Sequence, residues 1–242
     1  MTHELWITGL FNRFLAGPAD TILNAVGRPH DAANPWSDWM VCEILVVLFM
    51  IVLFGYLKTR LSVDNPGKLQ HTFEFAYEFF HASAEEVVGH EGPRYLAFFG
   101  TIFLFILLMN LIGLIPGFDS PTMYPMVPFG LAIVTFFFYH FTGIRANGAG
   151  YIKNFLGPML IIAPLMFLIE MVSHSARLLS LTVRLYANMF AGEQVYLTFT
   201  TLTKLLIPVI FIGLHMFVSF LQAYIFMLLA MVYVGGAVSH EH

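Results

Sequence analysis

One arginine lies in the middle of a long apolar stretch of the chain. Arg184 has six uncharged residues before it and eight after it. A guanidinium stays protonated in proteins, so this side chain cannot become neutral to suit an apolar environment. At the centre of a bilayer such a charge costs about 2.5–3.5 kcal/mol even on the more lenient scale. We therefore expect Arg184 to have a functional role and to meet an anionic partner on another subunit.

Further polar side chains share a helical face with Arg184. At about 100° per residue, they fall within about 80° of it on a helical wheel, whereas Glu193 falls on the opposite side unless the helix bends at Gly192. Isolated serines in membrane helices usually hydrogen-bond a neighbouring helix, so some of these groups have a structural alternative, as does Arg177. The set consists of Glu170, Ser173, His174, Arg177, Ser180 and Asn188, and a second polar face on the last apolar segment consists of His215, Ser219 and Gln222.

The two polar faces come together if the last two apolar segments form an antiparallel hairpin that turns near Thr203. Arg184 lies 19 residues before this turn and Gln222 lies 19 residues after it. Glu193 is 10 residues before the turn and His215 is 12 after it, so each of these pairs is expected at one level. Titratable groups would then approach a fixed cation from both sides of a membrane, which is an arrangement suited to moving ions.

The composition places these residues in a membrane protein. Of the 242 residues, 58% are hydrophobic and only 11% are charged, whereas soluble domains carry about 25% charged residues. Cys42 is the only cysteine, which excludes an intramolecular disulfide. The first 20 residues mix charged and apolar side chains, so we expect no cleaved signal peptide.

The apolar runs predict an all-α integral membrane protein with an N-terminal span, an amphipathic surface helix, a helical hairpin and two long antiparallel helices. Apolar stretches of 43 and 33 residues (159–201 and 205–237) would reach about 65 and 50 Å, against about 30 Å of hydrocarbon. They must be steeply tilted, or broken at a residue such as Pro164 or Gly192. The predicted segments are 1–38 (extracytoplasmic N-terminal segment), 39–57 (first transmembrane helix), 66–90 (amphipathic interfacial helix), 95–145 (transmembrane hairpin) and 158–237 (long tilted hairpin with the ion-translocation site).

Basic residues near the ends of the spans predict the orientation, because they accumulate on the cytoplasmic side. Asp119 lies in the loop on the opposite side. This arrangement puts the N-terminus outside the cytoplasm and the C-terminus inside it. The basic residues on the predicted cytoplasmic side are Lys58, Arg60, Lys68, Arg94, Arg145 and Lys153.

Three stretches resemble subunit a of the F-type ATP synthases. They are SLTVRLYANMFAGE (180–193), which contains Arg184, FLFILLMNLIGLIPG (103–117), which contains Asn110, and HMFVSFLQAYIFMLL (215–229). The surface stretch PGKLQHTFEFAYEFF (66–80) also fits that family, and the resemblance covers roughly residues 65–237. The loop DSPTMYPMVP departs from the family pattern.

The resemblance implies a stator subunit that couples proton flow to rotation of a ring of c subunits and to ATP synthesis. Arg184 would meet the mid-membrane carboxylate of each c subunit and favour its ionised form, since a nearby cation lowers a carboxyl pKa. We also expect cysteines at Leu181 or Leu185 to crosslink to the carboxylate-bearing helix. The implied outer half-channel is lined by Asn188, Glu193, His215 and Gln222, the inner one by Glu170 with His174 and Ser173, and Arg177, Asn110 and Gly192 have secondary roles.

The resemblance further implies partners and a location. The expected partners are the c-ring, b-type peripheral stalk subunits, the remaining ATP synthase subunits and membrane lipid, with no nucleic acid and no cofactor. The chain lacks the glycine-rich phosphate-binding loop of an ATPase, so it is not expected to be an enzyme on its own. A bacterial inner membrane is the expected location, with the N-terminus periplasmic.

Two other classes of function are weighed against this hypothesis. A stand-alone ion channel or secondary transporter would need an internal counter-ion for Arg184, and often an inverted repeat, which the sequence does not show. A membrane redox or metalloenzyme is suggested by the ten histidines. The His-Glu-x-x-His pattern of metal proteases is absent, however, and His174 and His215 lie on separate segments.

Overall fold

The computed structural model describes residues 5–25, 34–62, 66–115, 117–148, 150–151, 163–202 and 206–238. Within these ranges the chain contains no strand, and two short 3-10 turns (Gly92–Tyr95 and Pro121–Met123) connect its helices. The predicted all-α class is therefore confirmed. The helices are α1 (Trp6–Ala25), α2 (Asp38–Arg60), α3 (Lys68–Val88), α4 (Leu96–Ile112), α5 (Met126–Asn147), α6 (Ala163–Leu202) and α7 (Leu206–Val238).

Five helical stretches in the described part of the chain are long and apolar enough to cross a membrane. They are α2, α4 together with the 3-10 turn that leads into it, α5, α6 and α7. Neither α1 nor α3 is among them, and both are amphipathic segments with exposed aromatic side chains such as Trp6 and Phe75. The chain is therefore a multi-pass membrane protein.

Helix α7 is the centre of the bundle. It packs against α3, α4, α5 and α6, whereas α2 packs mainly against α4. A face of α7 built from Phe226, Met227, Ala230 and Met231 is fully buried. Small residues let neighbouring helices approach closely, and a Cβ added to Gly235 would stand 3.0 Å from the backbone oxygen of Val87 on α3.

Helices α6 and α7 form an antiparallel pair. Contacts between Phe199 and Phe211, whose ring centroids are 4.3 Å apart, and between Asn188 and Gln222 run in opposite directions along the two helices. Helix α6 continues through Gly192 without interruption, so the break considered there is not present. At 1.5 Å per residue, helices of 40 and 33 residues reach about 60 and 50 Å. Crossing about 30 Å of hydrocarbon therefore requires tilt or protruding ends.

Helix α6 differs from its neighbours in how little of it the rest of the chain covers. In its apolar stretch, 11% of the residues are buried within the chain, compared with 44% for α7. A long helix that is mostly uncovered by its own chain must contact lipid or another subunit.

Helix α1 lies in the predicted N-terminal segment and runs from Trp6 to Ala25, with a kink at Leu15 (φ −123°, ψ 19°). The kink allows Pro18 to fall in the first turn of the second half, where its missing N–H leaves no hydrogen bond unmade. Asn12 holds α1 against the approach to α2 by exchanging two hydrogen bonds (2.8 and 3.2 Å) with the backbone of Trp36.

Some predicted features lie outside the described residues. These are the start of the last predicted segment (158–162), the proposed turn at Thr203 and the basic residue Lys153.

Candidate functional site

Arg184 lies near the middle of α6 and is half-buried. Its Nη2 atom is 3.5 Å from the hydroxyl oxygen of Ser180, the outer limit of a hydrogen bond. Among the residues that the structure describes, no carboxylate lies within salt-bridge distance of this guanidinium. The described chain therefore positions a permanent cation without supplying its counter-ion.

The open side of α6 beside Arg184 is not the side that was expected from the sequence. Leu181 and Leu185 were expected to face a partner subunit, but they are 3% and 0% exposed and belong to the buried core. The expectation about these two side chains was wrong because a helical wheel shows which residues share a face but not which neighbouring helix covers that face. The open side of α6 next to Arg184 carries Val183 and Ala187 instead.

One turn from Arg184, a hydrogen bond joins α6 to α7. Asn188 Nδ2 donates to Gln222 Oε1 at 2.7 Å. Gln222 was expected level with Arg184, so the observed pairing is offset by one helical turn. Gln222 Nε2 and the hydroxyl of Ser219 are buried and have no hydrogen-bond partner among the described protein groups. Buried polar groups need a partner, so this face of α7 is suited to contact with water.

Glu193 and His215 lie further along the same hairpin and are both buried. A Cβ added to Gly192 would stand 3.0 Å from His215 Nδ1, so the backbone of α6 passes directly beside the imidazole. This puts Glu193 and His215 at one level of the hairpin. A cavity of about 250 Å³, lined by Asn188, Gly192 and His215 among others, reaches from this level toward the Asn188–Gln222 contact.

A second cluster of titratable side chains lies nearer the other end of α6. Glu170 Oε2 is 3.5 Å from His174 Nε2, and the hydroxyl of Tyr139 on α5 is 2.6 Å from His174 Nδ1. The carboxylate, the imidazole and the phenol therefore form one connected series. Ser173, on the same stretch of α6, is half-buried.

The same cluster contains residues that were not predicted as site residues. The ring of His140 lies 4.8 Å from that of His174, and its Nδ1 atom is 2.8 Å from the hydroxyl of Tyr151. Tyr233 is a further such residue, and the centre of its ring lies 5.4 Å from the guanidinium of Arg177, for which a secondary role was predicted. Tyr139 and His140 are neighbours in the sequence of an otherwise apolar span, and this adjacency was the signal that could have identified them.

Asn110 connects the loop between α4 and α5 to α7. Its Oδ1 accepts a hydrogen bond from Thr122 at 2.6 Å, and its Nδ2 donates to the backbone oxygen of Ser219 at 3.4 Å. The Ser120 and Thr122 hydroxyls are 2.8 Å apart. The loop that departs from the expected pattern thus supplies two buried hydroxyls that fix Asn110.

An acidic residue and a phenol of the same loop contact each other. The hydroxyl of Tyr124 donates to Asp119 Oδ2 at 3.1 Å. Burial, followed by the charge of Asp119, raises the pKa of Tyr124 to about 12. The phenol therefore keeps its proton and remains a hydrogen-bond donor to the carboxylate across the physiological pH range.

The described residues contain no group of three or more His, Cys, Asp or Glu side chains that could hold a metal ion. The fold and these contacts define a class: a multi-pass membrane protein with ionisable side chains at several levels of its last two helices.

Comparison with known proteins identifies the family within this class. The ATP synthase A chain family matches residues 39–235. The chain is 58% identical over 234 residues to ATP synthase subunit a of Solibacter usitatus (strain Ellin6076), which covers 96% of this chain and 100% of the relative. It is 50% identical over 245 residues to ATP synthase subunit a of Koribacter versatilis (strain Ellin345), with both chains fully covered. The chain therefore belongs to the ATP synthase A chain family, the membrane-sector subunits of the rotary ATP synthase that are not themselves catalytic.

The contact between Gly192 and His215 gives a testable prediction. In Gly192→Ala the new methyl group would press on the imidazole, which can move into the adjoining 250 Å³ cavity. We expect the thermal stability of the assembled complex to change little while ATP-driven proton pumping falls severalfold. Gly213→Ala is the matched control, because a Cβ there meets nothing within 4 Å. Equal pumping by the two variants would contradict a role for the position of His215.

Proposed function

We propose that this chain is the stator subunit a of an F-type ATP synthase. It provides two proton half-channels separated by Arg184 and couples proton flow across the membrane to rotation of a c-ring and to ATP synthesis. The residues within 158–237 form the ion-translocation unit, and the preceding helices position it.

The observation that carries this proposal is the missing counter-ion of Arg184. The guanidinium borders the open side of α6, and no carboxylate of the described chain lies within salt-bridge distance of it. Leaving a charge unpaired in a membrane is costly. A mid-membrane carboxylate on a neighbouring subunit removes this cost and becomes easier to ionise beside the cation. A rotating ring supplies such carboxylates one after another.

The outer half-channel in this proposal follows the α6–α7 interface. A proton enters at the level of Glu193 and His215, passes the buried face of α7 and reaches the Asn188–Gln222 pair one turn from Arg184. The unpartnered polar atoms of Ser219 and Gln222 on this face support the proposal. The Asn110 amide, held by the hairpin loop, fixes α4 against α7 beside this path.

The inner half-channel in this proposal follows the α5–α6 interface. Glu170, His174 and Tyr139 are connected at 3.5 and 2.6 Å, a spacing that suits proton transfer between neighbouring groups. Ser173 lies on the same stretch of α6. Arg177 occupies the space between this cluster and α7, where it contacts Tyr233.

The proposal also assigns partners and an orientation. Basic residues lie at the ends of three spans, and we assign these ends to one side of the membrane. Lys58 and Arg60 are in the last turn of α2, Arg94 precedes α4, and Arg145 is in the last turn of α5. We place these ends on the cytoplasmic side of a bacterial inner membrane, with the N-terminus periplasmic and the C-terminus cytoplasmic. The partners are the c-ring at the open side of α6, b-type peripheral stalk subunits and membrane lipid.

Removal of the unpaired cation tests the proposal directly. In Arg184→Ala, no group remains to favour the ionised carboxylate, so ATP-driven proton pumping should fall to background while ATP hydrolysis by the detached soluble sector stays unchanged. Arg184→Lys should also pump poorly, because a buried ammonium can lose its proton. Ser180→Ala is the control, since it removes only a 3.5 Å contact. Normal pumping by Arg184→Ala would exclude the proposed role.

Disulfide crosslinking tests which side of α6 faces the ring. With the native Cys42 replaced by alanine, cysteines at Val183 or Ala187 should crosslink under oxidation to cysteines on the carboxylate-bearing helix of the c subunit. Cysteines at the buried Leu181 or Leu185 are the matched controls and should not crosslink. The reverse pattern, observed on gels of the oxidised complex, would mean that the ring contacts another face of α6.

The inner path is tested by removing a single hydroxyl. Tyr139→Phe breaks the 2.6 Å contact with His174 and should slow passive proton conductance through the membrane sector roughly tenfold. This reduction is smaller than the roughly 10²–10⁴-fold loss of rate that is typical when an acid–base group is removed, because water can replace a hydroxyl. Tyr233→Phe keeps the ring beside Arg177 and should conduct normally. Similar conductance in both variants would place the inner path elsewhere.

A further inference from the structure

A large cavity lies away from both half-channels, at the ends of the helices where the basic residues cluster. Its volume is about 820 Å³, within the range of 300–1,000 Å³ that is usual for ligand pockets. It is bounded by the end of α3, the 3-10 turn that precedes α4, and the last turns of α5 and α7. We call it the Arg94–Arg145 cavity, after the two arginines in its wall.

The polar wall of the Arg94–Arg145 cavity carries a net positive charge. Arg94 Nη1 is 3.2 Å from Glu91 Oε2, and both side chains are more than half exposed, so this ion pair contributes little and is easily rearranged. For Arg145, the described part of the chain places no carboxylate within salt-bridge distance. Two arginines against one carboxylate leave a single positive charge, which complements a singly charged anion.

The opposite wall is apolar and continues onto the surface of the spans. Phe98 on α4 and Phe138 on α5 are stacked, with ring centroids 3.5 Å apart. Phe141, one turn nearer the end of α5, is 62% exposed. Both helices belong to membrane spans, so this wall faces hydrocarbon where the polar wall reaches the headgroup level.

We propose that the Arg94–Arg145 cavity binds an anionic glycerophospholipid that carries one phosphodiester, such as phosphatidylglycerol. Arg145 binds the phosphate, Arg94 joins it by exchanging Glu91 for a phosphate oxygen, and the acyl chains lie along Phe98, Phe138 and Phe141. Guanidinium groups bind phosphate oxygens in pairs of parallel hydrogen bonds, and basic pockets between membrane helices at the cytoplasmic side suit acidic headgroups. A free phosphate would leave the apolar wall unused. This site does not depend on the ion path, because none of its residues lines a half-channel.

Lipid binding to the purified, assembled complex in mild detergent tests this proposal. Phosphatidylglycerol or phosphatidylcholine is added after delipidation, and the bound lipid is counted by native mass spectrometry. We expect phosphatidylglycerol to bind roughly tenfold more tightly than phosphatidylcholine, and this preference to disappear in Arg94→Gln/Arg145→Gln. The matched control is Lys58→Gln/Arg60→Gln, which removes two positive charges at the end of α2, outside the cavity, and should keep the preference.

A second variant gives an effect of opposite sign and remains informative if the double variant fails to assemble. Glu91→Gln removes the carboxylate that competes for Arg94, so phosphatidylglycerol should bind severalfold more tightly, with phosphatidylcholine unchanged. The proposal is overturned if Glu91→Gln weakens binding, or if the two lipids bind alike to the unmodified complex. It is also overturned if millimolar inorganic phosphate displaces phosphatidylglycerol, or if a cysteine at Arg145 crosslinks to another subunit of the complex, which would show that protein fills the cavity.

Discussion

The need of one half-buried guanidinium for an anion is the constraint on which the rest of this structure depends. The guanidinium of Arg184 cannot lose its proton, and no carboxylate of the described residues lies within salt-bridge distance of it. Everything that places the arginine has to keep it away from the two carboxylates of its own helix, Glu170 and Glu193. The structure does so by distance along the helix for Glu170 and by rotation about the helix for Glu193, which is buried on the inward side. The cation is thereby kept available for a partner.

Apolar packing achieves this placement. Leu181, Leu185 and Met189 bury one side of α6 in the core, and this contact fixes the rotation of the helix about its own axis. Arg184 then lies at the border between the buried and the open side. On α7, the buried side carries His215, Ser219 and Gln222 between apolar residues, so the same packing that stabilises the bundle also encloses the polar groups. The position of each polar side chain is thus set by neighbouring leucines and methionines.

The sequence predicted the spans, the antiparallel pairing of the last two helices and the common level of Glu193 and His215, because these follow from hydrophobic length and residue count alone. The sequence did not predict the rotation of α6 about its own axis. Leu181 and Leu185 were placed on the partner side because a wheel shows only which residues share a face, whereas burial depends on which helix covers that face. The prediction of the cluster around His174 was incomplete for a related reason. Tyr139 and His140 lie on α5, and their approach to His174 depends on how α5 packs against α6. The offset of Gln222 toward Asn188 by one turn likewise depends on the turn between the helices.

The two clusters of titratable groups are built by different pairs of helices, and this separation has a mechanical consequence. The groups around Asn188 and Gln222 lie between α6 and α7, whereas the groups around His174 lie between α5 and α6. Along the inward side of α6, the stretch between them carries the buried Leu181 and Leu185, and the hydroxyl of Thr182 is bound to the backbone oxygen of Leu178 on its own helix. An apolar segment of this kind offers a proton no group to occupy. In the proposed function, a proton that reaches Asn188 and Gln222 therefore leaves the chain at the open side of α6 and returns at His174, and a carboxyl group of a neighbouring subunit that moves past Arg184 carries it across that step.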